Sequence, residues 1–395
     1  MKSNAWSVAL ASVLAGIAIA IIQNKVVPCI SVIQESFSIG AGTAGWLSSV
    51  FCVMGIVMAF PGAIIVEKIG LKRTGLLSLL FGVVGTLLGL TAESIIVLML
   101  SRVIEGMGAG LIAIVVPSLI SLWFTPEKRG LPMSLWSTWQ IVAQALCFFF
   151  GMSLTTAFGW KGVWTAGGAI ALIAAIVFAL LVHLPERGQC ISDTEATVEK
   201  IPLSDGLKDR PVWLICFAML LFTLGNFGFV TWVASAWSEQ FLLPLDTTNR
   251  YISLMYILAL PISVGFGFIL NHADHKKLCV ISYALYSFVS AAAFLLPNAK
   301  WIIPYIIVYP FFESAVCAAM WTIVPEAVKD SRYVAVAMAL FGLLQNVGML
   351  LGPPLAGAVK DAFGTSAIAL PVFIPSLLGT IAVLLAKTSN PVNEH

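Results

Sequence analysis

The chain has 395 residues, of which 59% are apolar or aromatic and only 10% charged, with a net charge of +2 and a mean hydropathy of +0.99. A soluble fold of this size has too little interior for so much apolar surface, so the solvent is lipid. Nucleic-acid binding, secreted disulfide scaffolds and ordinary soluble enzymes are disfavoured at once, and the small net charge points to no partner.

A bilayer-spanning helix uses about 20 apolar residues, and the apolar windows between charged or turn-rich breaks predict twelve spans. In chain order they cover 5–27, 41–66, 74–92, 95–123, 131–156, 161–184, 211–237, 250–270, 278–296, 301–325, 333–358 and 366–386. The first imitates a secretory signal, but its cleavage would delete the first member of the duplication described below. The long polar stretch, 185–210, reads as a cytoplasmic linker between an N-terminal half (1–184) and a C-terminal half (211–395). The expected fold class is all-α integral membrane, twelve transmembrane helices in two pseudo-symmetric six-helix halves.

Lys and Arg positions set the orientation. With a cytoplasmic N-terminus, fifteen of 21 fall inside: Lys2, Lys68, Lys72, Arg73, Lys128, Arg129, Arg187, Lys200, Lys208, Arg210, Lys276, Lys277, Lys329, Arg332 and Lys387. Four fall outside (Lys161, Arg250, Lys300, Lys360), and Lys25 and Arg102 lie within spans. Both termini are therefore expected in the cytoplasm.

The halves echo each other. Ala63-Ile-Ile-Val-Glu67-Lys68-Ile-Gly70-Leu-Lys72-Arg73 follows the second window, and Gly267-Phe-Ile-Leu-Asn271-His272-Ala-Asp274-His275-Lys276-Lys277 follows the eighth, at an offset of 204. Pro126-Glu127-Lys128-Arg129-Gly130 has a weaker echo in Pro325-Glu326 and Lys329 to Arg332. Duplicated six-helix units are a mark of secondary transporters.

These residues resemble the major facilitator superfamily along the whole chain. Glu67 to Arg73 is similar to its loop 2–3 signature, with Ala63 where the family usually has Gly and Glu67 where it usually has Asp. Arg102 with Glu105, Gly106, Gly108 and Gly110 resembles the fourth-helix motif, and Phe158-Gly159-Trp160-Lys161 the start of helix six. The resemblance implies a gating role for Glu67, Lys72 and Arg73, whose alternative is a solvated loop. It also implies that helices one, four, seven and ten surround a central cavity while three, six, nine and twelve face lipid. The glycines independently permit close helix approach.

The polar residues agree with that layout. A charge at a span's centre costs about 2.5–3.5 kcal/mol on insertion scales. Helix one carries Gln23, Asn24 and Lys25; helix four Arg102 and Glu105; helix five Gln140 and Gln144; helix seven Asn226; helix ten Glu313; helix eleven Gln345 and Asn346. The interiors of helices three, six, nine and twelve hold no Asp, Glu, Lys, Arg, Asn or Gln. Lys25, three residues before Pro28 and with Glu35 its nearest acid in sequence, reads as a site for something negative, or else as a lysine snorkelling to headgroups. Arg102 either assists it or pairs with Glu105 one turn on. Glu313 is the proton-coupling candidate, since a carboxylate is costly in lipid, or a counter-charge to Lys25. Asn24, Gln140, Gln144, Asn226, Gln345 and Asn346 would orient the solute, and the glutamines could equally be interhelical glue. Among aromatics, Trp136, Trp139, Trp232, Trp237, Tyr256, Tyr305 and Tyr309 could line a cavity, although packing is the commoner role. Pro261, Pro310, Pro353 and Pro354 are expected to bend helices eight, ten and eleven.

No phosphate-binding glycine loop, catalytic grouping or metal-ligand spacing is present, so no enzyme activity, cofactor or metal is expected. His183, His272, His275 and His395 lie at helix ends, in a loop or at the terminus. The seven cysteines lack CxxC spacing and read as reduced, buried thiols. The expectation is a monomeric, multi-pass secondary transporter of the bacterial plasma membrane, carrying a small anionic molecule, proton-coupled, without nucleic-acid partners. Segments around Leu131 to Ser137, Asn226 to Trp232 and Gln345 to Gly348 look like the cyanate and small-anion permease branch. The alternatives are an anion exchanger or an exporter of hydrophobic or cationic compounds. Against the exporter stand Lys25 and the absence of the drug/proton antiporters' Gly-Pro-rich motif from helix five. The lysine of oxalate/formate-type exchangers is missing from helix eleven.

Overall fold

A computed structural model describes residues 5–58, 61–125, 128–184, 209–270, 273–328, 330 and 333–387. The linker 185–208, Lys2, Pro126, Glu127, Cys190, Asn271, His272, Lys329, Arg332 and His395, each assigned a place above, lie outside the described residues.

Each of the twelve predicted windows is helical, and no strand occurs among the described residues. The first window becomes α1 (Ala5–Asn24), a 3-10 turn at Val27–Cys29 around Pro28, and α2 (Ile30–Phe37). The second divides into α3 (Ala41–Ser49), α4 (Phe51–Val57) and α5 (Pro61–Ile69). Then come α6 (Leu71–Leu90), α7 (Ile95–Trp123), α8 (Gly130–Ser137), α9 (Trp139–Phe158) and α10 (Trp160–Leu181). The later windows give α11 (Arg210–Phe241), α12 (Leu245–Leu270), α13 (His275–Ala292), α14 (Ile302–Glu326), α15 (Val334–Phe363) and α16 (Ala369–Leu385). Ten helical segments are long and apolar enough to cross a membrane, or eleven if the bent pair α4 and α5 counts as one. The remaining window, α13, has 18 residues and opens with His275-Lys276-Lys277, which lowers its mean hydropathy.

Local chemistry sets the breaks. Gly70 (φ 82°), Gly159 (φ 69°) and Gly364 (φ 85°) adopt left-handed backbone just before α6, α10 and the turn leading to α16. Only glycine takes that region without steric cost. Phe158-Gly159 recurs as Phe363-Gly364, so the duplication extends to a shared turn. Ser94 caps α7 and Asp274 caps α13. The helices expected to bend at proline are each one continuous helix, although every interior proline lacks the N–H for its i→i−4 bond: Pro261 lies inside α12, Pro310 inside α14, and Pro353 and Pro354 inside α15.

Four helices expose apolar stripes at helical spacing: Leu80, Val84 and Leu87 on α6; Leu172, Ile176 and Leu180 on α10; Ile281, Leu285 and Phe288 on α13; Leu370, Ile374, Leu378 and Ile381 on α16. These are the third, sixth, ninth and twelfth windows, and so much exposed hydrocarbon is stable only against lipid.

The chain divides into two compact units, Met1–Val32 with Val50–Glu199, and Ile33–Ser49 with Lys200–His395. Segment 33–49, placed by its sequence in the N-terminal half, thus packs with the second unit. In the first unit α1 lies against α6, α7, α9 and α10. Gly106 lets α7 meet the Phe51 carbonyl of α4, and Ser78 Oγ of α6 donates to Gly108 O at 2.7 Å. In the second unit Gly348 and Gly352 of α15 lie directly on the carbonyls of Leu220 and Leu224 in α11, a small-xxx-small contact of the kind that joins membrane helices. Helix α3 docks on α15 as well: the Asp361 carboxylate accepts from Ala41 N at 3.0 Å and Gly42 N at 2.9 Å. Of the described cysteines, Cys29, Cys52, Cys147, Cys216 and Cys279 are buried and free, and Cys317 is free and half-buried.

Candidate functional site

In the first unit, the end of α1 delivers Gln23, Asn24 and Lys25 to the interior. Lys25 Nζ donates to Glu105 Oε1 at 2.6 Å and to Thr86 Oγ1 at 3.0 Å, and stands 4.5 Å above the Trp164 ring. Thr86 donates to the same carboxylate oxygen at 2.9 Å. Arg102 Nη1 binds Glu105 Oε2 and the Ile22 carbonyl, each at 2.6 Å, while Nη2 binds the Gln23 carbonyl at 2.6 Å. Lys25, Arg102 and Glu105 are all 0% exposed. Lys25 therefore does not snorkel, and the acid it lacks in sequence is supplied in space by Glu105. Two cations share one carboxylate, so these three side chains carry a formal charge of +1 in a dry interior, where charge interactions are strongest.

An amide chain runs beside this triad. Gln140 Nε2 donates to Gln23 Oε1 at 2.8 Å, and Asn24 Nδ2 donates to Gln140 Oε1 at 3.0 Å and to Ala20 O at 2.8 Å. Gln144, one turn further along α9, is 8% exposed, and its side chain makes no hydrogen bond to the described residues. Trp136 and Trp139 stack at 4.6 Å one turn below.

In the second unit Asn226 is the hub. Its Nδ2 donates to Tyr309 Oη at 3.0 Å, to Tyr286 Oη at 3.1 Å and to Glu313 Oε1 at 3.4 Å. Three acceptors thus surround a group with two hydrogens, so one bond is always shared. The Tyr309 ring lies between Phe229 (4.5 Å) and Tyr305 (5.8 Å), both stacked, and Trp237 meets Tyr305 edge-on. Tyr305 Oη is buried with no hydrogen-bond partner among the described residues. Glu313 is half-buried and forms no ion pair with the described residues. Asn346 turns back to its own helix, donating to Gly342 O at 2.9 Å. Gln345 is half-buried, and its carbonyl accepts from Thr223 at 3.0 Å. Neither joins the Asn226 network through a hydrogen bond among the described residues.

Glu67 on α5 is exposed, Lys72 half-buried and Arg73 exposed in the first turn of α6. No ion pair joins them among the described residues. The echoing pair behaves differently: Lys276 Nζ donates to Ala386 O at 2.6 Å, and Lys277 lies 3.4 Å from Asp274. No group of three or more His, Cys, Asp or Glu that could hold a metal occurs among the described residues.

Three contributors escaped the sequence reading: Thr86 on α6, Trp164 on α10 and Tyr286 on α13. All belong to windows whose interiors hold no charge or amide. The missed signal is the hydroxyl or indole on the face opposite each lipid-facing stripe.

The sequence profile of the Major Facilitator Superfamily matches residues 8–337. A hexuronate transporter of Bacillus subtilis (strain 168) is 23% identical over 354 residues, covering 84% of this chain and 82% of its own. A lysosomal dipeptide transporter of Bos taurus is 24% identical over 330 residues, covering 78% and 69%. Among solved structures, a bacterial homologue of the human lysosomal transporter Spinster, inward-facing and unoccupied, superimposes with TM-score 0.81 at 17% identity, covering 98% of this chain and 96% of that one. The nucleoside transporter NupG superimposes with TM-score 0.75 at 13% identity, covering 95% and 98%.

Proposed function

The chain belongs to the major facilitator superfamily and is a multi-pass membrane transporter of small organic solutes, not an enzyme, and we propose that its solute is an organic anion taken up with a proton. The observation that carries this reading is the buried triad, in which Lys25 and Arg102 share the single carboxylate of Glu105. An interior charge of +1 is costly alone and is relieved by an arriving anion. The two cations act mainly through their field, because Lys25 already gives hydrogens to Glu105 and Thr86, and Arg102 to Glu105 and the Ile22 and Gln23 carbonyls. Direct contact falls to amides: Gln144, whose side chain is unspent, with Asn24 and Gln140 beside it. A hexuronate, the solute in the name of one relative, has the chemistry such a site favours, one carboxylate and several hydroxyls.

Glu313 is the proton carrier in this reading. It is half-buried, has no cation bonded to it among the described residues, and is oriented by Asn226. Asn226 thus serves the proton step, while Gln345 and Asn346 remain assigned to orienting the solute. Glu67, Lys72 and Arg73, which form no ion pair among the described residues, are assigned to a gating contact made in another state of the cycle. The membrane is the bacterial plasma membrane, with both termini cytoplasmic, following the Lys and Arg bias.

The test is internal pH in proteoliposomes loaded with a pH-sensitive dye, after external addition of D-glucuronate, D-galacturonate and a panel of smaller carboxylates. Acidification by one of them, absent in Glu313→Gln while counterflow of the same anion persists, is the expected outcome. Neither acidification nor counterflow with any anion would overturn the reading and favour an uncharged or cationic solute.

A further inference from the structure

His275 opens α13 immediately after its Asp274 cap, whose carboxylate accepts from Lys277 N at 3.0 Å. The imidazole is engaged at both nitrogens: Nδ1 meets Glu326 Oε1 at 2.5 Å and Nε2 meets Leu270 O at 2.8 Å. A carboxylate and a carbonyl oxygen only accept, whereas a neutral imidazole has one N–H to give. Both bonds exist together only when the ring is an imidazolium. That one ring then ties the start of α13 to the last residues of α12 and of α14. The side chains of His275 and Glu326 are 13% and 14% exposed, so the pair is largely shielded yet within reach of protons from water.

We propose that His275, Glu326 and the Leu270 carbonyl form a proton-operated clamp at this end of the second unit, closed with the ring protonated and open with it neutral. Deprotonation leaves one ring nitrogen lone pair facing an acceptor oxygen, and that repulsion replaces an attraction. The surrounding charges favour the closed form. Glu326 on α14 and Asp274 on the cap act on the ring. Lys276 is turned to the Ala386 carbonyl beyond α16, and Lys277 is paired with Asp274. Burial disfavours the charged ring, but the bonds to Glu326 and Leu270 and the nearby carboxylates outweigh it, so the ring's pKa is raised above the ordinary 6.5. The sign follows from a raised histidine: the clamp is complete below the ordinary value and is lost as pH rises through the raised one. The device thus works on the neutral-to-alkaline side, is distinct from Glu313, and does not depend on which solute is carried.

Hydrogen–deuterium exchange of the purified full-length protein in lipid nanodiscs, between pH 6 and pH 9, tests it without any solute. After division by the intrinsic chemical rate, exchange over 273–280 in the wild type is expected to rise by up to about tenfold per pH unit above the ring's pKa. His275→Arg, which keeps a permanent charge and two donors, is expected to stay protected and flat across the range. His275→Gln is expected to be flat as well, and already raised at pH 6. A flat wild-type profile, or a wild-type slope in either variant, would overturn the clamp.

Discussion

Lys25 and Glu105, 80 positions apart in the chain, meet at 2.6 Å with neither side chain exposed to any degree. The same carboxylate holds Arg102 with its other oxygen. Losing the shared carboxylate leaves two buried cations uncompensated, which costs far more than the net worth of the intact set. Glu105→Gln should destabilise the folded protein by about 3–5 kcal/mol, and Lys25→Gln, which leaves the neutral Arg102–Glu105 pair, by less. The double variant should fall short of the sum by about 0.5–3 kcal/mol. Unfolding of all three in mixed detergent micelles checks this, and strict additivity would mean the pair is not coupled.

Gly106 presses α7 onto the Phe51 carbonyl, leaving no room for a Cβ, whereas Gly265 in α12 has nothing near it. Gly106→Ala should lower stability by about 1–3 kcal/mol through overpacking against backbone. Gly265→Ala should be neutral or stabilising by up to about 1 kcal/mol, from helix propensity alone. Thermal unfolding of the two variants side by side separates close packing from the general presence of glycine in membrane helices.

Asp361 satisfies two of the orphan N–H groups that begin α3. Asp361→Ala should cost about 0.5–2 kcal/mol, as loss of a cap does. Amide exchange over 41–45 is the sensitive readout: protection should fall there and be unchanged in α6.

Asn226 is the donor that Glu313 has in this structure. Under the proposed coupling, Asn226→Leu should abolish solute-driven acidification in proteoliposomes and leave counterflow of D-glucuronate in place. Loss of both would move Asn226 from the proton step to solute binding.

Much of the architecture was legible because lipid imposes one rule on every span. All twelve apolar windows are helices, and the third, sixth, ninth and twelfth, whose interiors lack charges and amides, carry exposed apolar stripes. What was not legible is pairing across distance. In the sequence the nearest acid to Lys25 is Glu35, and sequence proximity cannot show that α1 and α7 are neighbours. Trp164 and Thr86 were passed over because hydroxyls and indoles occur everywhere in membrane helices and signal nothing until a charge lies against them. Segment 33–49 was assigned by chain order, and its glycines, which fit it to Pro353 and Ala358 of α15, say only that something packs closely. His275 reads in the sequence only as a helix-end residue, because its partners Leu270 and Glu326 are 5 and 51 positions away.

The distance between Lys25 and Glu105 also has a meaning in time. A ribosome working at about 5–20 residues per second emits the lysine roughly 4–16 s before the carboxylate that neutralises it. Throughout that interval the first hydrophobic segment carries a bare ammonium, a penalty of about 2.5–3.5 kcal/mol if it is held at mid-bilayer. The segment is therefore best accommodated at first near the headgroups or beside the insertion machinery, and settles only after α7 has been delivered. Biogenesis of this half is in that sense a group event, with Arg102 and Glu105 arriving together, three residues apart, to complete a partnership begun by the first span.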